Sequence, residues 1–333
     1  MSHYSSTPAP DAAAEAESKW LTEALLGRSD CDIFRQLDGL RRYIRSVGVT
    51  PSFRSPPIGC DVPCAPIDGS SSRFGPPARF RTAHGFVPRH RVRVTSIFHM
   101  IGPLIKIFGI CRSDSDGFAR YILEHTPARG VAIVPPAAEG GTGWAIPPSD
   151  RFEFHELDVT RYLQSDPTSR ALPFSRTSFD FIILDADYSC PRTLVAHLLL
   201  ALCCLVEGGT ILLHLPCIER PLTARVTIAL SSIFDDIHTY KPAYKAWNHR
   251  FYMHGQTVRH HSAYRRLKHN LERLWSRIQT VNTPNCTWVE EDLITPWEEV
   301  LQTSNIDWIV TLGNPVWGTQ LKALHGAFGI ECK

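Results

Sequence analysis

The chain has 333 residues, 43% of them hydrophobic and 20% charged, with a formal net charge of +2. That balance excludes a disordered polyelectrolyte and suits one large α/β domain with helical additions, or two domains. Affinity for nucleic acid, if any, must come from local patches rather than from the field of the whole molecule.

Ten cysteines raise a disulfide or zinc framework, but Cys60-x3-Cys64 and the consecutive Cys203-Cys204 have no matching second pair. Reduced cysteines and no metal are expected. The apolar run around Leu194 to Val206 is too short to cross a bilayer. The first residues, MSHYSSTPAPDAAAEAES, lack the basic start and apolar core of a secretory signal. No membrane partner and a cytoplasmic or nuclear location are the resulting expectations.

In chain order, residues 1–18 are rich in Ser, Pro and Ala and read as a disordered N-terminus. From Trp20 to Val47 apolar residues recur at helical spacing, with Phe34, Leu37, Leu40, Ile44 and Val47 on one stripe and Gly48 as a stop. Residues 51–77 are crowded with Pro, Gly and Ser, as an irregular loop would be. Arg73 to Arg93 then holds six arginines and no acid, with Phe74, Phe80 and Phe86 interleaved. Two readings stand for it: a single-stranded nucleic-acid surface contacted through Arg79, Arg81, Arg89 and Arg91, or a solvated loop with apolar anchors.

Ser96 to Ile110 has a helix-like recurrence, and its end, Lys106 to Ile110, is a plausible strand. A small-residue loop and the short helix ARYILEH follow. Strand, loop, helix is the order in which adenosyl and dinucleotide folds place their ligand turn, although this turn is poor in glycine. Gly130 to Val134 and Phe152 to Val159 are further candidate strands, the latter closed by Asp158. Phe179 to Asp185 is an apolar run too short for a helix, expected as a strand buried on both faces and ending in a carboxylate. A helix from Pro191, stopped by Glu207-Gly208-Gly209, and a strand from Thr210 to Leu215 complete a βαβ unit, hence a parallel sheet. Ligands of such sheets sit at the carboxyl ends of the strands, which points to Asp185 and His214. Leu222 to Phe234 suggests a helix, Ile237 to Lys241 and Arg250 to His254 a strand pair, and Arg259 to Arg277 a cationic helix whose face is either simply solvated or part of a polyanion surface. The Trp-containing tail reads as packed helices.

The order of these pieces resembles the FtsJ-like RNA methyltransferases, in a divergent branch. The resemblance rests on Gly117-Phe118 with Tyr121-Ile-Leu123, Ala128-Arg-Gly-Val131 with Glu139-Gly-Gly141, Asp158-Val-Thr160, Phe179 to Asp185, Glu207-Gly-Gly209, and Lys241-Pro242 with Arg250-Phe-Tyr252. It implies a Rossmann-like doubly wound α/β sheet at about 96–258, after a helical preamble and basic loop at 19–95 and before a C-terminal helical extension at 259–333. It further implies S-adenosylmethionine as cofactor, held around Gly109, Ser113, Gly117, Phe118, Asp158 and Asp185, and methyl transfer to an RNA ribose 2′-hydroxyl. The reacting centre would be Asp185, His214, Lys241 and Arg250, with positioning dominant and a base taking the hydroxyl proton.

The sequence departs from the family's pattern. Ile110 stands where an acid closes the first strand, Arg112 for a glycine, Ser115-Asp116 for Pro-Gly, His214 for a lysine and Arg250 for a glutamate. Arg112 adds bulk and Asp116 a like charge where the methionine moiety would lie, so weak or absent cofactor binding is expected. Histidine suits proton transfer near neutrality. Two functions are therefore carried forward: a divergent RNA methyltransferase, and a catalytically inactive relative that binds RNA or a protein partner.

Overall fold

The structure, a computed structural model, describes residues 10–48, 105–112, 117–136, 146–160, 163, 179–186, 188, 190–243, 246–281 and 288–328. The arginine-rich segment 73–93, with Arg79, Arg81, Arg89 and Arg91, lies outside the described residues, as do Ser113 and Asp116. Two helices come first, α1 (Pro10–Leu26) and α2 (Asp32–Val47). Strand β1 (Ile107–Arg112) leads to α3 (Gly117–His125), β2 (Arg129–Val134) and β3 (Phe152–Glu156). Next come β4 (Phe179–Asp185), α4 (Pro191–Cys204), β5 (Leu205–Leu215) and α5 (Pro221–Ser231). Strands β6 (Phe234–Tyr240) and β7 (Phe251–Val258) form a hairpin. The basic helix α6 (Ser262–Val281), two single turns at Trp288–Glu291 and Trp297–Val300, and α7 (Thr303–Phe328) finish the described chain.

The seven strands line up in the order β3-β2-β1-β4-β5-β7-β6, all parallel except β7. This is the Rossmann-like doubly wound sheet that the βαβ pattern implies: the order reverses between β1 and β4, and that switch opens a crevice at the carboxyl ends. β4 is apolar and buried throughout from Phe181 to Leu184 because both of its faces are covered there. On one face lies a core shared by α4, α5, α6 and both terminal helices. On the other Phe108, Phe181, Ile183, Leu212 and Tyr252 pack under α3. Gly130 is required there, since a Cβ on it would sit 2.1 Å from the Phe108 ring.

Three expectations change. Residues 10–18, expected disordered, are the first half of α1; DAAAEAE is built from strong helix formers, and Glu17 is anchored in the core. The helical spacing read from Trp20 to Val47 belongs to two helices, parted at Gly27 to Cys31, where Arg28 pairs with Asp30 at 2.8 and 2.7 Å. Glu207-Gly208-Gly209 does not stop α4. The helix ends at Cys204, Leu205 is already extended, and the glycines form an irregularity inside β5, with Gly208 at φ +77°. A left-handed residue kinks a strand there as readily as it ends a helix.

The terminal helices are bound to the sheet by polar as well as apolar contacts. Arg225 of α5, fully buried, donates to both carboxylate oxygens of Glu17 in α1 (2.7 and 2.8 Å), to Asp292 (2.5 Å) and to the Thr295 carbonyl (3.1 Å), and lies over the Trp297 ring. The Phe34 ring of α2 meets Trp317 of α7 at 4.7 Å. No helix among the described residues is long and apolar enough to cross a membrane, and none of their His, Cys, Asp and Glu side chains cluster to hold a metal. Cys31, Cys190, Cys203, Cys204 and Cys217 are free thiols.

Candidate active site

The carboxyl edge of the sheet is where backbone register brings distant residues level. Leu184 pairs with Leu213, so Asp185 at the end of β4 stands beside His214 near the end of β5. His214 in turn faces Tyr252 of the antiparallel β7. Period-2 alternation puts all three on the sheet face that α3 covers, with Ile183 and Leu212 beneath them.

Their side chains meet. Tyr252 donates its hydroxyl hydrogen to Asp185 Oδ1 at 2.9 Å, and His214 Nδ1 is 3.3 Å from the same oxygen. The imidazole stacks on the Tyr252 ring at 4.6 Å, and Tyr252 meets Phe118 edge-on at 5.9 Å. Asp185 is 5% exposed and Tyr252 1%, while the His214 side chain is 14% exposed. A carboxylate facing Nδ1 selects the tautomer protonated there and leaves the lone pair on Nε2, the arrangement that makes a histidine an oriented base.

Lys241 and Arg250 lie at the same end of the sheet. Lys241 follows β6, and its Nζ donates to the Asn248 and Arg250 carbonyls at 2.6 and 2.7 Å, closing the loop between β6 and β7. Neither bond goes to Asp185 or His214. Burial, then Arg41, push its amine down to about 7. Arg250 is half-buried, two residues before Tyr252, with its backbone N–H on Asn248 Oδ1 at 3.1 Å.

Behind Lys241 stands a buried group assembled from both ends of the chain. Glu219, four residues beyond β5, takes the Arg41 guanidinium on Oε1 and the Trp317 indole N–H on Oε2 (3.1 Å). Arg41 also reaches Gln320 Oε1 at 2.7 Å, and Gln320 Nε2 donates to the Trp247 carbonyl at 3.1 Å. Burial alone would raise the Glu219 carboxyl, but Arg41 outweighs it and holds the group below the usual carboxylate range.

On the cofactor side of the crevice, Asp158 follows β3 and its Oδ1 accepts from both the N–H and the hydroxyl of Thr160 (2.8 and 2.7 Å), fixing a turn that keeps it half-buried at the edge. Gly117 opens α3 just beyond β1. Gly109 lies inside β1, three residues short of its carboxyl end, where a Cβ would rest 3.4 Å from the Phe179 ring. It lines, with Ile182 and Leu200, a small apolar recess between the sheet and α4. Phe118 is buried at 2% in the packed face. Strand β2 ends at Val134 and is followed by Pro135 and Pro136.

Two residues that sequence pattern did not single out matter here. Tyr252 appeared only as part of a matched strand, and nothing local announces its hydroxyl's partner 67 positions away. Tyr188, just after β4, bonds through its hydroxyl to Nδ1 of buried His197 at 3.0 Å; burial drives that imidazole down to about 4, so it is neutral and accepts. That contact fastens the segment following Asp185 onto α4.

No family model matches the chain, and no curated protein matches it. Among solved structures it is similar to human methyltransferase-like protein 13 in complex with SAH, at 16% identity over 62% of this chain and 100% of that one, with a TM-score of 0.38. It is also similar to a putative hemolysin from Streptococcus thermophilus (10%, over 60% and 78%, TM-score 0.37) and to an rRNA methylase from the same organism (11%, over 46% and 88%, TM-score 0.32). Likeness at this level carries no argument about activity, and the strand order and side-chain geometry stand by themselves.

Proposed function

We propose that the protein is a divergent S-adenosylmethionine-dependent methyltransferase whose acceptor is an RNA ribose 2′-hydroxyl. The observation that supports this best is the Asp185, His214 and Tyr252 group at the carboxyl ends of β4, β5 and the start of β7. In this reading His214 Nε2 takes the hydroxyl proton, Asp185 orients and stabilises the imidazolium that forms, and Tyr252 holds the carboxylate in place. The cofactor supplies an activated methyl group. The donor set at the edge fits it in part: Asp158 can accept from an adenine amine, and the N-terminal turn of α3 from Gly117 faces the adjoining space.

A second reading, a catalytically silent relative that binds RNA or a protein, is favoured by one observation: Asp185 is almost sealed and its Oδ1 is already shared between Tyr252 and His214. Calorimetry with S-adenosylmethionine and S-adenosylhomocysteine, paired with labelled-methyl transfer to RNA, separates the two. Binding together with transfer that both His214→Ala and Asp185→Asn abolish supports the enzyme. Absence of cofactor binding, or transfer indifferent to both substitutions, sinks the His214 mechanism.

A further inference from the structure

The chain's net charge is only +2, yet α6 alone carries five basic residues, Arg265, Arg266, Lys268, Arg273 and Arg277, against one acid, Glu272. Their placement is not diffuse. Tyr264, Leu267, Leu271, Leu274, Trp275 and Ile278 form the buried stripe, and Arg265, Arg266, His269, Arg273 and Arg277 all fall on the exposed face opposite. From Arg266 the spacing is i, i+3, i+7 and i+11, one helical face repeated over successive turns. Among the described residues no ion pair neutralises Arg265, Arg266 or Arg273; Arg259, just before the helix, is by contrast tied to Asp235 at 2.6 Å.

The direction of the helix gives the stripe a destination. The Tyr264 hydroxyl near the start of α6 bonds to the Leu202 carbonyl near the end of α4, and Trp275 near its other end stacks under the Arg192 guanidinium, 5.6 Å away, at the start of α4. Helix α4 descends from the carboxyl end of β4, so α6 runs antiparallel to it and climbs toward that same edge. There Trp275 Nε1 and Gln279 Nε2 both donate to the carbonyl of Leu163, five residues beyond Asp158 (3.3 and 2.9 Å). From Arg265 to Arg277 the cationic face covers about 18 Å, with Arg266, Arg273 and Arg277 about 10 and 6 Å apart along the axis, a length over which an extended nucleic-acid strand presents several phosphates.

We propose that the outer face of α6 binds the phosphate backbone of single-stranded RNA and leads it toward the carboxyl edge of the sheet. The face offers guanidinium groups and one imidazole but no exposed Phe, Tyr or Trp, so it grips chiefly charge, and binding there depends little on sequence. The identity of the polyanion rests on the RNA reading above, but the surface does not need methyl transfer to occur. Binding without transfer refutes the enzyme and leaves the surface standing, whereas transfer with unaltered binding in the variant below refutes the surface alone.

The test is fluorescence anisotropy of a mixed-sequence single-stranded RNA against full-length protein and its Arg265→Gln/Arg266→Gln/Arg273→Gln variant. Arg277, which holds a further contact within the chain, is left in place. Each phosphate neutralised on a single strand contributes about 0.7 to the slope of log affinity against log salt, so three lost contacts should flatten it by about 2, with at least about a tenfold loss of affinity near 50 mM salt. The matched triple Arg→Lys variant should retain the wild-type slope, which separates lost charge from a damaged helix. An unchanged slope in the Gln variant, an equal loss in the Lys variant, or tighter variant-sensitive binding to phosphatidylserine vesicles than to RNA overturns the proposal.

Discussion

Removing Glu17 should unfasten α1 at a cost that can be reckoned from the geometry. Arg225 is fully buried, and Glu17, itself 2% exposed, supplies two of its charge-assisted hydrogen bonds at 2.7 and 2.8 Å. Taking one partner from a buried ion pair costs about 3–5 kcal/mol, because the other charge stays desolvated. Asp292 and the Thr295 carbonyl still face Arg225, so Glu17→Leu belongs at the lower end, about 3 kcal/mol, or on the order of a hundredfold in the folding constant. At about 2–4 °C per kcal/mol, the melting temperature should fall by about 6–12 °C. The informative partner is Glu17→Leu/Arg225→Met, in which neither buried charge remains. Asp292 is 30% exposed at its side chain and can hydrate, so the double variant should lie within about 1 kcal/mol of wild type. Urea and thermal melts of the three variants decide it. If Glu17→Leu costs no more than a surface substitution, or the double variant is worse than Glu17→Leu, the clamp is not what ties α1 to α5.

Two further outcomes follow from the same packing. Gly130→Ala would drive a methyl into the Phe108 ring and should destabilise by about 1–3 kcal/mol, with Phe108→Leu in the same chain restoring most of the loss in a thermal melt. The Lys241 amine, lowered from 10.5 to about 7 by burial and then by Arg41, binds its proton more weakly folded than unfolded. Between those two values the unfolded chain carries the extra proton, so stability should rise with pH across that window, and Lys241→Met should flatten the rise in urea midpoints. An unchanged slope in that variant refutes the assignment.

How much of this was legible beforehand depends on the range of the interaction. The strand ending in Asp185 was readable because burial on both faces leaves an apolar run from Phe181 to Leu184. Its pairing with β5 followed from the helix between them, and with the sheet came the meeting of Asp185 and His214. Glycine was the ambiguous letter: Glu207-Gly208-Gly209 has the composition of a helix stop, and only the pairing of β5 with β4 shows it to be a kink within a strand. Residues 10–18 looked disordered by composition, because the contact that orders them, Glu17 with Arg225, spans 208 positions. The same limit hid Tyr252, Glu219 and Gln320, whose partners no local pattern names.

The Glu219 group also has a history in time. Arg41 and Gln320, bonded to each other, are separated by 279 positions, and Glu219 lies between them in the sequence. A ribosome adding about 5–20 residues per second emits Gln320 about 15–55 s after Arg41. For that interval α2, with Phe34 and its arginine, has none of its α7 partners, and the loop after β5 lacks the indole and guanidinium that hold its carboxylate. The nascent chain therefore carries an incomplete edge until α7 is made, a long wait that invites chaperone capture. Loss of the last turns of α7, by a premature stop or by proteolysis, would return a finished molecule to that unfinished state.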